Sequence, residues 1–301
     1  MVTVSPPEGR FIDKASLWLA LGAVGVLVVV SASLGEQLHV PWDGIVPFLG
    51  IATILVTASL VADLVARRRP STRALRLWAP FAIVYLCYRA LRGAIPLLAG
   101  AGMEPQLLRA DQAIFGISPA WWFERVQSPW LTEIMAYAYA TMFFLPLAVM
   151  LVLYARRRDR ALADVALSLQ LAFYVGFTIF LLVPARSPDI VYSFDTPLAG
   201  HGFYELTARA WRQLQAVTYD AFPSMHTAIS TLALVQAIRL RDELSPARPW
   251  LPATLLAPIV VMLQISTLYL RQHYFVDLVA GWGVASIAVS AASAITARTG
   301  A

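Results

Sequence analysis

Residues 162–183 read Leu162-Ala-Asp-Val-Ala-Leu-Ser-Leu-Gln-Leu-Ala-Phe-Tyr-Val-Gly-Phe-Thr-Ile-Phe-Leu-Leu-Val183, an apolar run that breaks at Pro184-Ala-Arg-Ser-Pro188. Roughly 20 apolar residues cross a bilayer as an α-helix, because hydrocarbon offers no partner to unpaired backbone groups. The run meets that length. Seven others do so on the same rule, at approximately 16–34, 44–65, 77–98, 131–154, 224–240, 250–270 and 274–296. The expected fold is all-α, a polytopic membrane bundle of about eight transmembrane helices with a six-helix core.

Composition agrees. Of 301 residues, 59% are apolar and 14% are charged, against roughly 45–50% and 25% in soluble domains. An ordinary soluble enzyme is excluded, since so much apolar surface would leave patches that water does not tolerate. Mean hydropathy is +0.66. Disorder is excluded by the same figures, and a disulfide scaffold by the single cysteine, Cys87. The segment Leu17–Leu34 is longer than a signal-peptide core and reads as a retained helix.

The net charge of +5 comes from 23 basic and 18 acidic residues, and most of the basic residues are arginines set in clusters between apolar runs. They report membrane orientation; no nucleic acid is expected as a partner. Arg67, Arg68, Arg69, Arg73 and Arg76 follow the second run, Arg156, Arg157, Arg158 and Arg160 the fourth, and Arg239, Arg241 and Arg248 the sixth. The positive-inside rule makes these loops and both termini cytoplasmic. The stretches 35–43, 99–130, 184–223 and the turn at Arg271 then face the other side. The expected location is an integral membrane protein, bacterial inner membrane in type.

No internal repeat or low-complexity segment interrupts the chain, which reads as one integral membrane domain over 1–301. Within it, 1–76 form an N-terminal two-helix segment and 77–296 the main bundle. Two outer loops are too long for simple connectors. The first carries Pro119, Trp121, Trp122, Phe123 and Trp130, which predicts an interfacial helix with aromatic anchors. The second carries an amphipathic helix from Tyr204 to Leu214 and ends at Pro223.

There are four histidines, His39, His201, His226 and His273. His226 lies in Asp220-Ala-Phe-Pro-Ser-Met-His-Thr-Ala, where Pro223 and Ser224 mark a helix start. His273 lies in Tyr269-Leu-Arg-Gln-His-Tyr-Phe-Val-Asp277, just before the last span. Both fall at the same membrane face. On a helix, a spacing of four puts His273 and Asp277 side by side. A carboxylate that accepts from one ring nitrogen leaves the other free as nucleophile or base. A second histidine can protonate a leaving oxygen, and arginines with backbone N–H groups can hold phosphate oxygens.

The ordered segments Pro184-Ala-Arg-Ser-Pro188, Pro223-Ser-Met-His226 and Tyr269–Asp277 resemble the signature of the type 2 phosphatidic acid phosphatase superfamily. Asp111-Gln-Ala-Ile-Phe-Gly116, with Pro119, Trp121 and Trp122, resembles the branch that includes the inositol phosphorylceramide synthases. The catalytic motifs cover 184–277, and the wider likeness runs from about Tyr88 to Gly281. The resemblance implies a catalytic role for the helical bundle. His273 would attack phosphorus and carry a transient phosphoryl group. Asp277 would orient it, and His226 would act as general acid and then base. Ser224 and Arg186 would bind phosphate oxygens. No metal or organic cofactor is implied, and the chain has no HExxH motif or paired cysteines.

Two positions depart from the pattern. Ile179 stands where the family's first motif usually has lysine, and Thr267 where its third usually has arginine. Arg271 is the substitute cation the sequence offers for substrate binding. Asp63, Arg89 and Arg92, in or near spans, are structural ion pairs or snorkelling residues more readily than substrate contacts. Asp111 is expected to cap a helix. His39 and His201 read as loop residues. Tyr137, Tyr139, Phe143 and Phe144 read as helix packing, part of whose face could line a lipid-tail groove. The expected activity is cleavage or transfer of a phosphoester or diphosphate on a lipid. Alternatives are a phosphoalcohol headgroup transferase, and a transporter or scaffold without catalysis.

Overall fold

A computed structural model of the chain describes residues 22, 25, 81–89, 91, 95, 96, 102–214 and 217–298. Apart from residues 22 and 25, the expected spans at 16–34 and 44–65, with His39, Asp63 and Arg92, lie outside the described residues. Residues 81–89 are helical, within the third expected span.

The rest is helical apart from loops. In chain order come α1 (Glu104–Phe115), α2 (Pro119–Glu124), α3 (Pro129–Ala140), a 3-10 turn (Thr141–Phe143), α4 (Phe144–Ala155) and α5 (Asp159–Leu182). These are followed by α6 (Pro188–Val191), α7 (Phe203–Leu214), α8 (Met225–Arg239), α9 (Arg241–Leu244), α10 (Leu251–Tyr269) and α11 (Phe275–Arg298). Among the described residues, four helical stretches are long and apolar enough to cross a membrane: Pro129–Ala155, Asp159–Leu182, Leu251–Tyr269 and Phe275–Ala297. They correspond to the fourth, fifth, seventh and eighth expected spans. The sixth is α8, which at 15 residues is shorter than the other four.

Local chemistry sets the boundaries. Proline stands in the first turn of α1, α2, α3 and α10, where its missing N–H costs no helical bond. Ser128 caps α3 by accepting from the Leu131 N–H. α1 ends on Gly116, whose φ of 75° suits a left-handed C-cap. The interfacial helix expected near Trp121 is α2, and the amphipathic helix expected at 204–214 is α7. The helix α1, in the same outer loop, has no counterpart in the sequence reading.

α8 is central, packed by α11, α10, α4 and α5, while α11 also lies along α5. Buried alanines line these contacts, including Ala166, Ala228, Ala233, Ala285 and Ala288. Small residues let helix backbones approach closely where lipid supplies no hydrophobic drive. At one end of the bundle, Asp164 of α5 accepts from Arg239 (3.3 Å) and Gln236 (3.4 Å) of α8 and from Thr296 (3.3 Å) of α11. This polar knot fixes three helices at that end. The histidines lie at the other.

Candidate active site

Two helix N-termini are joined at the histidine end. Ser224 caps α8, its hydroxyl accepting from the Thr227 N–H at 3.3 Å. The Ser224 N–H in turn donates to the Asp277 carbonyl of α11 at 3.0 Å. The start of α11 is saturated by carboxylates. Asp277 reaches back to accept the Tyr274 N–H (2.8 Å), and Asp111 of α1 accepts those of Phe275 (2.9 Å) and Val276 (3.1 Å). Asp111 thus caps a helix as expected, but the helix is α11, far along the chain. Anions at a helix N-terminus meet both unpaired donors and the positive end of the dipole. Burial pushes the Asp111 pKa above the usual carboxylate value, against the pull of its two backbone donors.

His273 sits just ahead of this helix and is buried. Its Nδ1 is 2.9 Å from the Ala221 carbonyl and 3.3 Å from Asp277 Oδ2. A carbonyl can only accept, so Nδ1 carries the proton and donates. In the neutral ring Nε2 then keeps its lone pair. The ring of His226, in the first turn of α8, lies 5.7 Å away between centroids and meets that of His273 edge-on. Tyr139 stacks on His226 at 4.0 Å, and Trp211 approaches at 6.0 Å. Among the described residues, His226 Nε2 is buried and has no hydrogen-bond partner.

Both histidines line a cavity of about 410 Å³. Most of its wall is aromatic or aliphatic, built from residues 81–88, the α3–α4 junction, α5 and α7. Polar groups gather around the histidines: Ser187, Asp220 and Gln272. Asp220 accepts from the Tyr88 hydroxyl at 2.8 Å. Tyr139 and Phe143, read as packing with a possible groove face, line the wall.

None of the three phosphate-holding candidates, Arg186, Ser224 and Arg271, is part of the cavity wall. Arg186 Nε donates to Glu104 Oε1 at 2.8 Å, and the Arg186 backbone N–H donates to the same oxygen at 3.1 Å. That carboxylate raises the arginine's pKa above its already high ordinary value. Ser224 is fully buried as a cap and is not part of the cavity wall. Arg271 turns out of a positive-φ residue (62°) and is also absent from the wall. Its guanidinium donates to the Thr196 carbonyl (2.8 Å) and Gln127 (3.1 Å), pairs with Glu124 (3.5 Å) and covers the Phe194 ring. These polar contacts tie outer loops together.

Other expectations fall into place more simply. His201 is a loop residue whose N–H is taken by Glu133 and whose ring rests on Trp130. Trp122 and Trp130 are exposed, as anchors would be. Arg89 lies in the helical segment at 81–89 and is not part of the cavity wall. Sequence reasoning missed Glu104, Asp220 and the aromatic cover of His226. An acidic residue just before Pro105 was the only signal for Glu104, and its partner lies 82 positions on.

No curated protein and no solved structure matches the sequence. The family model of the PAP2 superfamily matches residues 105–291, well over half of the chain and a stretch that includes Arg186, His226, His273 and Asp277. On that match, the chain belongs to the PAP2 superfamily.

Proposed function

We propose that the protein is a membrane phosphatase or phosphotransferase acting on a lipid phosphoester or diphosphate. The observation that carries the reading is that His273, with its Nε2 lone pair free, and His226, with an unpartnered Nε2, line one apolar cavity. A long-chain lipid fits the aromatic wall, and its phosphate fits the polar end.

In the first step His273 Nε2 attacks phosphorus and forms a P–N bond, while the bond to the leaving oxygen breaks. Protonated His226 delivers its proton to that oxygen. As charge builds on the His273 ring, the Nδ1 proton is held by the Ala221 carbonyl and Asp277. In the second step neutral His226 takes a proton from water or an alcohol, whose oxygen attacks phosphorus. The P–N bond breaks and returns its electron pair to Nε2. Arg186 binds the phosphate oxygens. Ser224 supports the site from behind as the cap of α8. The arginine distribution supports an extracytoplasmic site, and Tyr85 and Phe143, each about half exposed on the cavity wall, suit lateral access from the bilayer.

A second reading is a transferase that moves a phosphoalcohol headgroup to a lipid alcohol, as in the inositol phosphorylceramide synthases that the sequence resembles. It is favoured by the shortage of cations: Ile179 and Thr267 replace two, and Arg271 is committed elsewhere. A phosphodiester carries one negative charge and needs fewer. Purified protein in lipid nanodiscs, given radiolabelled phosphatidic acid, a prenyl diphosphate or a phosphodiester lipid with and without a lipid alcohol, separates the two. Phosphate release supports hydrolysis, and label appearing on the alcohol supports transfer. Failure to turn over every one of these lipids overturns the proposal.

A further inference from the structure

The Glu104 side chain is only 2% exposed, although it stands at the start of a short helix in an outer loop. A carboxylate so buried is costly unless it is paired and hydrogen-bonded. Its Oε1 takes both the Nε and the backbone N–H of Arg186, so one oxygen fixes the arginine's main chain and the root of its guanidinium together. The surrounding backbone is tied in the same place. Met103 N–H donates to the Pro184 carbonyl at 3.0 Å, and the Tyr192 hydroxyl donates to the Glu104 carbonyl at 3.4 Å.

The form of the pairing matters. A purely structural arginine–carboxylate pair gains most from two parallel bonds through the fork. Here, among the described residues, Nε is the one guanidinium nitrogen that is hydrogen-bonded, and the Nη pair is left over. The side chain is 36% exposed and lies against the Tyr219 ring, 5.4 Å from its centroid. Two hydrogen bonds, one between main chains and one from the histidine ring, connect the neighbouring Ala185 to His273. Ala221 N–H donates to the Ala185 carbonyl at 3.0 Å, and the Ala221 carbonyl accepts from His273 at 2.9 Å. Ser187, the next residue, lines the cavity.

We propose that Glu104 is a positioning residue for Arg186: it holds Nε and the backbone so that the free Nη fork faces the phosphate delivered to His273. Glu104 makes no contact with substrate. The inference rests on the lipid-phosphate reading above.

A double-mutant cycle on the full chain in nanodiscs tests it, with short-chain phosphatidic acid as probe or, if that lipid is not turned over, whichever lipid phosphate the wild type does turn over. Glu104→Gln should raise KM about tenfold, with kcat changed less than about threefold, because the fork is misaimed and the nucleophile is untouched. Arg186→Ala should lower kcat/KM by about 10². The double variant should match Arg186→Ala alone. A Glu104→Gln loss that persists undiminished in the Arg186→Ala background overturns the proposal, as does a fall in kcat at constant KM. Should Glu104→Gln unfold below the assay temperature, Arg186→Lys reads the same relation. Lysine offers Glu104 a single ammonium and leaves no fork, so its KM should rise; a wild-type KM overturns the proposal. Wild-type protein inactive on every lipid phosphate defeats the functional reading and this inference with it, whereas active wild type with an unaltered Glu104→Gln defeats the inference alone.

Discussion

Gly281 of α11 lies against the Ser224 carbonyl of α8 so closely that a Cβ at 281 would come within 2.6 Å of it, and within 2.9 Å of Thr227 Cβ. These two helices carry Asp277 and His226, and their separation at this level sets the distance between the catalytic candidates. Backbone cannot give way as a flexible side chain can. Gly281→Ala should therefore cost roughly 1–3 kcal/mol of stability through overpacking. Activity should fall more than the folded fraction does, as measured by thermal unfolding beside lipid turnover. An unchanged melting temperature would show that the helices part freely.

The two histidines should fail differently. His273→Ala removes the proposed nucleophile and should reduce turnover by a factor on the order of 10⁴ or more, with membrane insertion intact. His226→Ala removes only proton transfer and should cost about 10²–10⁴. That variant should cleave a lipid with an activated aryl leaving group far better than a natural one, since such a group departs without a proton. Equal losses on both substrates would reject the acid role.

Arg271→Ala distinguishes scaffold from substrate contact. Removing the guanidinium leaves the partly buried Glu124 without its cation and the Thr196 carbonyl without its donor. The expected loss is about 2–4 kcal/mol of stability. KM for the lipid should remain within about threefold of wild type, whereas a phosphate-holding arginine would raise it by tenfold or more.

Asp111 gives a pH-dependent signature. Its pKa is raised on folding, chiefly by burial, so the folded state holds the proton more tightly than the unfolded chain. The stabilisation tied to that proton is complete below the ordinary carboxylate pKa and is lost as pH rises through the folded value. Asn does not titrate. The melting temperature of wild type relative to Asp111→Asn should therefore decline as pH rises from about 4, the ordinary carboxylate value, through the raised folded one. A gap that widens with pH would reverse the sign of this account.

Four of the eight expected spans were legible, because hydrocarbon imposes one length and one polarity on every helix that crosses it. The 250–270 and 274–296 runs coincide within a few residues with α10 and α11. The histidine pair was legible as well, though for a partly different reason. The spacing of four suggested one helical face, whereas His273 precedes the helix and meets Asp277 because the carboxylate folds back over the N-terminus. Glu104 and Asp111 were not legible as partners of the site. Each acts across more than 80 positions of sequence, and nothing local records where a loop helix will dock. The contacts of Arg271 were not legible either, because proximity in sequence to His273 says nothing of direction once a residue adopts a left-handed backbone.

The acceptor that fixes the protonated nitrogen of His273 is the main-chain oxygen of residue 221. Every amino acid brings that oxygen, so no change of codon at 221 deletes it; only a shift in the path of the chain can. The tautomer of His273 that the proposed mechanism uses is thus inherited from the route of the backbone between Ala185 and Ser224, and mutational drift at 221 leaves it standing as long as that route survives.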